Sequence, residues 1–410
     1  NCNNFGVLDM NYPPPSDSSD DLFNKLFNRL KRTLSSEQFK EAQENWNKFI
    51  QGGKQHANIF ILGKTGVGKS SLINTVFCQE VAKVGEGKPV TQEIQEYRSP
   101  KYPLTIYDSK GLELEEFEKI KKETISFIQN KNSSENADDY IHLVWLCVAR
   151  TSARFEDAEI NLAKELTKLP AVGVIVVLTK CDSPNDPKTK EFLEKAKEAF
   201  QGCTVLRTRV GQEEHDDDGN LIQTKPDWGI DGEGGLIDTS LKLVPDSQKQ
   251  AFTAALNVQH QRALQAKKEA AKIIVNWAAG TAALASATPI PFSGSVAIMG
   301  VQAAMIAKIS SLFGMNIMEG NLKSILSVIL GPLLAKFLGK TVIAGFLKMI
   351  PGIGSVAGGL IDAGVAGTVT KLIGNLYIEV IMGFAEENKE LSPDDVFEEF
   401  GERLRLLPKK

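Results

Sequence analysis

Cysteine is scarce in this chain and follows no pairing pattern. The five cysteines are scattered, no C-x-x-C occurs, and the four histidines are equally dispersed. That rules against a disulfide framework and a zinc cluster, and points to reduced thiols in a cytoplasmic setting. Positive charge is also short. Lys and Arg number 47 against 51 Asp and Glu, a net charge of −4, so no DNA partner is expected. No basic-then-apolar leader opens the chain at Asn1, and no internal repeat is evident. The residues from Ile273 to Ala307 carry no charge, but Pro289 and Pro291 divide them. Each half falls short of the ~20 residues that a bilayer-spanning helix needs.

What is present is ordinary folded composition at a length that favours two domains: 410 residues, 42% hydrophobic and 24% charged. Residues 1–20 are polar with three consecutive prolines and read as a flexible arm. Residues 21–56 read as N-terminal helices, because Leu22, Leu26 and Leu30 lie on one helical stripe. From 57 to 244, short apolar runs (Asn58–Leu62, Leu104–Tyr107, Ile141–Val148, Val172–Leu178) alternate with helical stretches. That is the pattern of an α/β fold with a largely parallel sheet. Residues 245–391 read as an all-α, hydrophobic unit, and 392–410 as a C-terminal helix opened by Ser392-Pro393-Asp394-Asp395. One long helix is expected over Gln248–Lys272.

The run Gly63-Lys64-Thr65-Gly66-Val67-Gly68-Lys69-Ser70 fits G-x-x-x-x-G-K-[ST] between an apolar run and a helical one beginning at Ser71. Glycines let the backbone wrap phosphate oxygens, and the helix N-terminus adds partial positive charge. Lys69 is expected on the β- and γ-phosphates and the Ser70 hydroxyl on Mg²⁺. Asp108-Ser109-Lys110-Gly111 closes the next strand. An aspartate there can hold Mg²⁺, and the Gly111 N–H can reach the γ-phosphate. Thr179-Lys180-Cys181-Asp182 closes the most apolar strand. Its carboxylate, Asp182, can accept from guanine N1–H and the 2-amino group, a pair that adenine lacks.

Three such motifs in this order, each at a strand's C-terminal end, resemble the translation-factor-related GTPases, in particular their Era/TrmE-like and dynamin- or septin-like branches. The resemblance covers about half the chain. It implies a Ras-like P-loop GTPase domain, GTP and GDP as ligands, Mg²⁺ as cofactor, and GTP hydrolysis assisted by Lys69, Thr91 and Gly111. Thr91 is the best match to a switch threonine on the metal. A GTP-dependent homodimer is a further implied partner.

Some positions depart from that pattern. T-K-C-D replaces N-K-x-D, as in dynamin-like members. The fifth guanine-binding element is not legible, although Arg207-Thr208-Arg209 lies where it should fall. Leu112 stands where Ras-type enzymes place a water-orienting glutamine, so slow turnover is expected unless another group is supplied. Lys110, Arg150 and Arg154 are candidates by sequence order. The acidic run at Asp216–Asp218 is not a calcium loop, since Lys225 stands at the bidentate position. Asp218-Gly219 reads as a hairpin turn between Val205–Val210 and Leu221–Thr224.

The C-terminal unit leaves two readings open. A soluble bundle packed through small residues is one. A domain that associates with, or reversibly inserts in, an anionic membrane is the other, since bases outnumber acids between Arg262 and Lys371. The Thr288-Pro289-Ile290-Pro291-Phe292 hairpin resembles the hydrophobic domain of unknown function found in some Era-like GTPases and in YcjF-like inner-membrane proteins.

Overall fold

The computed structural model describes residues 55–78, 88–89, 94–99, 101–109, 117–152, 155–215, 221–286, 293–315, 363–387, 389 and 391–406. The expected arm, almost all of the N-terminal helices, Thr91, Lys110, Gly111, Leu112 and Arg154 lie outside the described residues.

A seven-stranded sheet organises the first half, in the order β2-β3-β4-β1-β5-β6-β7. Its strands are β1 (Ala57–Leu62), β2 (Lys88–Pro89), β3 (Ile94–Arg98), β4 (Leu104–Ser109), β5 (Leu143–Ala149), β6 (Gly173–Thr179) and β7 (Thr204–Arg207). β4, β1, β5, β6 and β7 pair in parallel, and only β2–β3 and β3–β4 are antiparallel. The expected mostly parallel, Ras-like sheet is therefore present. Its central strands are apolar on both faces because both are covered: β1 and β5 are buried at every position. Helices α2 (Phe117–Lys131), α3 (Asp157–Leu166) and α4 (Pro187–Ala199) cover one face. Helix α1 (Lys69–Val76) and α5 (Leu236–Leu243) cover the other.

A separate hairpin joins β8 (Gln212–His215) to β9 (Leu221–Lys225), with a register shift at Glu214/His215. The hairpin turn was expected, but its first strand was placed too early. Thr204–Arg207 completes the main sheet, where its backbone pairs with β6, and cannot serve both.

The helix expected over Gln248–Lys272 is broken. It forms α6 (Lys249–Ala255) and the start of α7 (Gln261–Ser286). The break is tertiary. Leu256 pairs as a β-bridge with Phe77, Cys78 N–H donates to Ala255 O at 3.0 Å, and Asn257 N–H donates to Val76 O at 3.0 Å. The Asn257 side chain then accepts from Gln259 N–H at 3.1 Å, a local turn that competes with helix.

Ala251, Phe252, Ala255, Leu256, Ala263 and Ala266 belong to the sheet's own core. Beyond them α7 packs with α8 (Ser293–Leu312), α9 (Ala363–Glu386) and α10 (Pro393–Leu406) around Ile306, Ile309, Tyr377, Ile381 and Phe397. α7 and α9 approach closely at Gly374, where a Cβ would stand 2.5 Å from a Val275 methyl. Among the described residues one helix, Ala366–Glu386, is long and apolar enough to cross a membrane, and half of its most apolar window is buried in the bundle.

Candidate nucleotide site

The loop between β1 and α1 is shaped by three glycines with positive φ: Gly63 (149°), Gly66 (74°) and Gly68 (103°). Gly63 is the most constrained, because a Cβ there would stand 2.5 Å from Cys147 O. Gly68 is the left-handed cap of α1, so the loop turns directly into a helix N-terminus. Val67 anchors the loop in the core, while Thr65, Gly66, Ser70 and Ser71 are exposed on it.

Lys69 folds back over this loop. Its Nζ donates to Gly63 O at 2.9 Å and to Lys64 O at 3.5 Å, and lies 3.8 Å from Asp108 Oδ1. Asp108 arrives at the end of β4, paired beside β1. Burial raises its carboxyl to about 6 despite the attraction of Lys69. Asp108 Oδ1 is buried with no hydrogen-bond partner among the described residues. A buried acceptor left in this state is costly unless something completes it. A hydrated divalent cation would complete that oxygen, and a hard carboxylate donor of this kind suits Mg²⁺.

Thr179, Lys180 and Asp182 close the site at its other end. Thr179 is buried, and its Oγ1 donates to Val67 O at 2.6 Å, which ties this motif to the phosphate loop. Lys180 takes a left-handed φ of 54°. Asp182 is exposed and forms an ion pair with Arg150. Arg150 therefore sits at the Asp182 end and not at the phosphate end, where sequence order made it a candidate. The segment Arg207-Thr208-Arg209 runs alongside: Cys181 N–H donates to Thr208 O at 3.2 Å, and Arg209 donates to the Asp182 carbonyl. The Arg207 guanidinium stacks 5.6 Å from the Trp228 ring, and Trp228 pairs with Arg209 through backbone bonds in both directions.

Two contributors escaped the sequence reading. Glu156 and Glu159 open α3 and form its capping box. Their carboxylates reach Lys64 Nζ at 2.5 and 4.0 Å. The only sequence signal was an E-x-x-E spacing at a helix start, which suggests a cap and says nothing of a lysine 92 residues away. Arg150 and Glu156 lie in the same segment after β5, so one stretch of chain touches both ends of the site.

Comparison with known proteins agrees with this geometry. Residues 58–180 match the family described as 50S ribosome-binding GTPase, and residues 250–403 match a domain of unknown function, DUF697. Neuronal-specific septin-3 of Danio rerio is 25% identical over 176 residues, 36% of this chain and 47% of the septin. The tRNA modification GTPase MnmE of Helicobacter acinonychis is 31% identical over 191 residues, 45% of this chain and 38% of MnmE. Magnetosome membrane protein 22 of Magnetospirillum gryphiswaldense is 29% identical over 98 residues, 24% of this chain and 50% of that protein. The matched segments span about half the length of these relatives or less. Residues 58–180 thus match a P-loop GTPase domain in sequence, in agreement with the loop and sheet geometry, and residues 250–403 match a DUF697 domain.

Proposed function

We propose that this protein is a Mg²⁺-dependent enzyme that hydrolyses GTP to GDP and phosphate, and that it works as a switch or remodelling factor at an anionic membrane from the cytoplasmic side. The observation that carries the hydrolase reading is the buried, unbonded Asp108 Oδ1 at 3.8 Å from Lys69, at the foot of a glycine-shaped loop.

In this reading the loop from Gly63 to Ser71 binds the phosphates through backbone N–H groups, and Lys69 leaves Gly63 O to neutralise the β- and γ-oxygens. Ser70, Asp108 and Thr91 hold the metal, which when bound offsets charge developing on the transferred phosphoryl group. Gly111 supplies an N–H to the γ-phosphate. Thr179 and Lys180 shape the base pocket, and Asp182 selects guanine. Intrinsic turnover is slow, because Leu112 cannot orient water, and it rises on homodimer formation or partner binding. Calorimetry with GTP, GDP and ATP tests the core of the reading; equal affinity for ATP and GTP sinks it.

The membrane part rests on the apolar helix Ala366–Glu386 and on the match to a protein named for the magnetosome membrane. The burial of half that helix favours a second reading, a nucleotide-gated soluble scaffold whose helical unit binds protein. Flotation with anionic vesicles, with and without GTP, separates the two.

A further inference from the structure

Two elements run from the phosphate site to one buried lysine. Helix α1 starts at Lys69 and ends at Val76, and β4 starts at Leu104 and brings Asp108, its last residue but one, beside Lys69. Their far ends meet the helical unit. At the end of α1, Thr75 O bonds His260 Nε2 at 2.8 Å, Val76 O accepts from Asn257 N–H, and Cys78 N–H donates to Ala255 O. One residue before Ala255, the Ala254 carbonyl accepts from Lys267 Nζ at 2.7 Å. The same ammonium donates to Leu312 O, the last residue of α8, at 2.7 Å. It also lies 6.0 Å from the centroid of the Tyr102 ring, in the turn that feeds β4.

Lys267 is completely buried. A buried ammonium has no water to replace a lost partner, so its carbonyls cannot drift away singly without a large cost. Its three neighbours come from three elements: α6, α8 and the turn before β4. The same turn also packs against the residues that follow α8. Gly314, at φ 85°, leaves no room for a side chain, since a Cβ would stand 2.6 Å from Tyr102 Oη. The sheet's core, which holds Tyr102 and Phe77, and the bundle's core, which holds Leu312 and Phe313, meet at this point.

We propose that the contact of Lys267 with Ala254, Leu312 and Tyr102 is the joint through which occupancy of the phosphate site is transmitted to the helical bundle. It rests on the nucleotide reading above. A displacement of α1 or β4 at the phosphate end arrives at the joint because each is a single rigid element. The joint passes it to α8 because Lys267 holds both sides.

The test uses the full chain and hydrogen exchange of peptides covering residues 300–315, with GTPγS and Mg²⁺, with GDP, and without nucleotide. Calorimetry records nucleotide binding separately. In the wild type, exchange at the end of α8 is expected to change with nucleotide. In Lys267→Met and in Gly314→Ala, nucleotide is expected to bind with wild-type affinity while that change disappears. Should Lys267→Met fail to fold by circular dichroism, Tyr102→Leu, which removes the ring beside the ammonium, and Gly314→Ala carry the same comparison. Wild-type protein that binds nucleotide with no change at 300–315, or folded variants that keep the full response, overturns the joint. Absence of any nucleotide binding in the wild type instead overturns the functional reading, and the joint with it.

Discussion

The Lys64 ammonium lies 2.5 Å from the Glu156 carboxylate, so the second residue of the phosphate loop is held by the first turn of α3. Both side chains are about one-fifth exposed, at 20% and 22%, which places the pair between surface and buried ion pairs. Glu156→Gln should destabilise the protein by about 1 kcal/mol and speed nucleotide release, because the loop loses its tether. Urea denaturation and a fluorescent-nucleotide chase check the two parts. A double-mutant cycle with Lys64→Met should show coupling, and additive effects would count against the tether.

Gly63→Ala should be far more damaging than Gly66→Ala. The first places a Cβ 2.5 Å from Cys147 O, while the second meets nothing within 4 Å among the described residues and pays only for its positive φ. Thermal melts and nucleotide titration of the two variants should differ accordingly, with nucleotide binding lost only in Gly63→Ala.

Lys69→Ala should abolish tight GTP binding and leave the fold intact, since the polar contacts of Lys69 among the described residues are with loop carbonyls and Asp108. Unchanged affinity by calorimetry would refute its phosphate role.

Asp182→Asn should weaken GTP and improve xanthosine triphosphate, because the amide matches the altered base edge. Arg150 then loses its carboxylate partner. A variant that still prefers GTP to xanthosine triphosphate would contradict the assignment of Asp182 to the base.

Stability should fall on acidification below about 6.5, the ordinary histidine range. Burial, aided by Arg98, lowers His56 to about 4, and burial also lowers His142. His142 Nδ1 accepts from Asn58 N–H at 3.0 Å, a bond that protonation would destroy. These two histidines therefore bind more protons in the unfolded chain between about 6.5 and 4, and their contribution to unfolding free energy rises with pH across that window; Asp108, raised to about 6 by burial, acts in the opposite sense, so the histidine contribution is read as the difference between wild type and the histidine variant. Denaturation at pH 7.5, 6 and 5 checks it. The double variant His56→Gln, His142→Gln should show a flatter profile.

Much of the candidate site was legible because its motifs are local. The glycines at 63, 66 and 68 and the residues Lys69, Asp108 and Asp182 announce themselves through spacing and through the apolar strands before them. The strands themselves were visible in β-branched runs. What could not be read depends on distant partners. The break at Leu256–His260 follows from pairing with Phe77 and Thr75, across some 180 residues. Ala- and Gln-rich sequence gives no hint of it, since local propensity favours continuous helix. Arg150 was visible as a charge near the site, but only the fold of the segment after β5 decides that it meets Asp182. Lys267 reads as one more solvated base on a helix until the carbonyls of Ala254 and Leu312 are seen around it.

The stacking of Phe77 has a practical meaning for anyone who would cut this gene. Its ring lies 5.7 Å from Trp145 on one side and meets Phe252 edge-on at 5.8 Å on the other. A fragment stopped at Val244, where the motifs run out, would keep every candidate site residue described above and lose Phe252, Leu256 and Ala263. It would bare an aromatic surface to water and be prone to clump in the test tube, whatever its affinity for nucleotide. The soluble fragment should instead run through α6 and into α7, so the smallest workable piece containing the P-loop sheet already includes the first stretch of its neighbour.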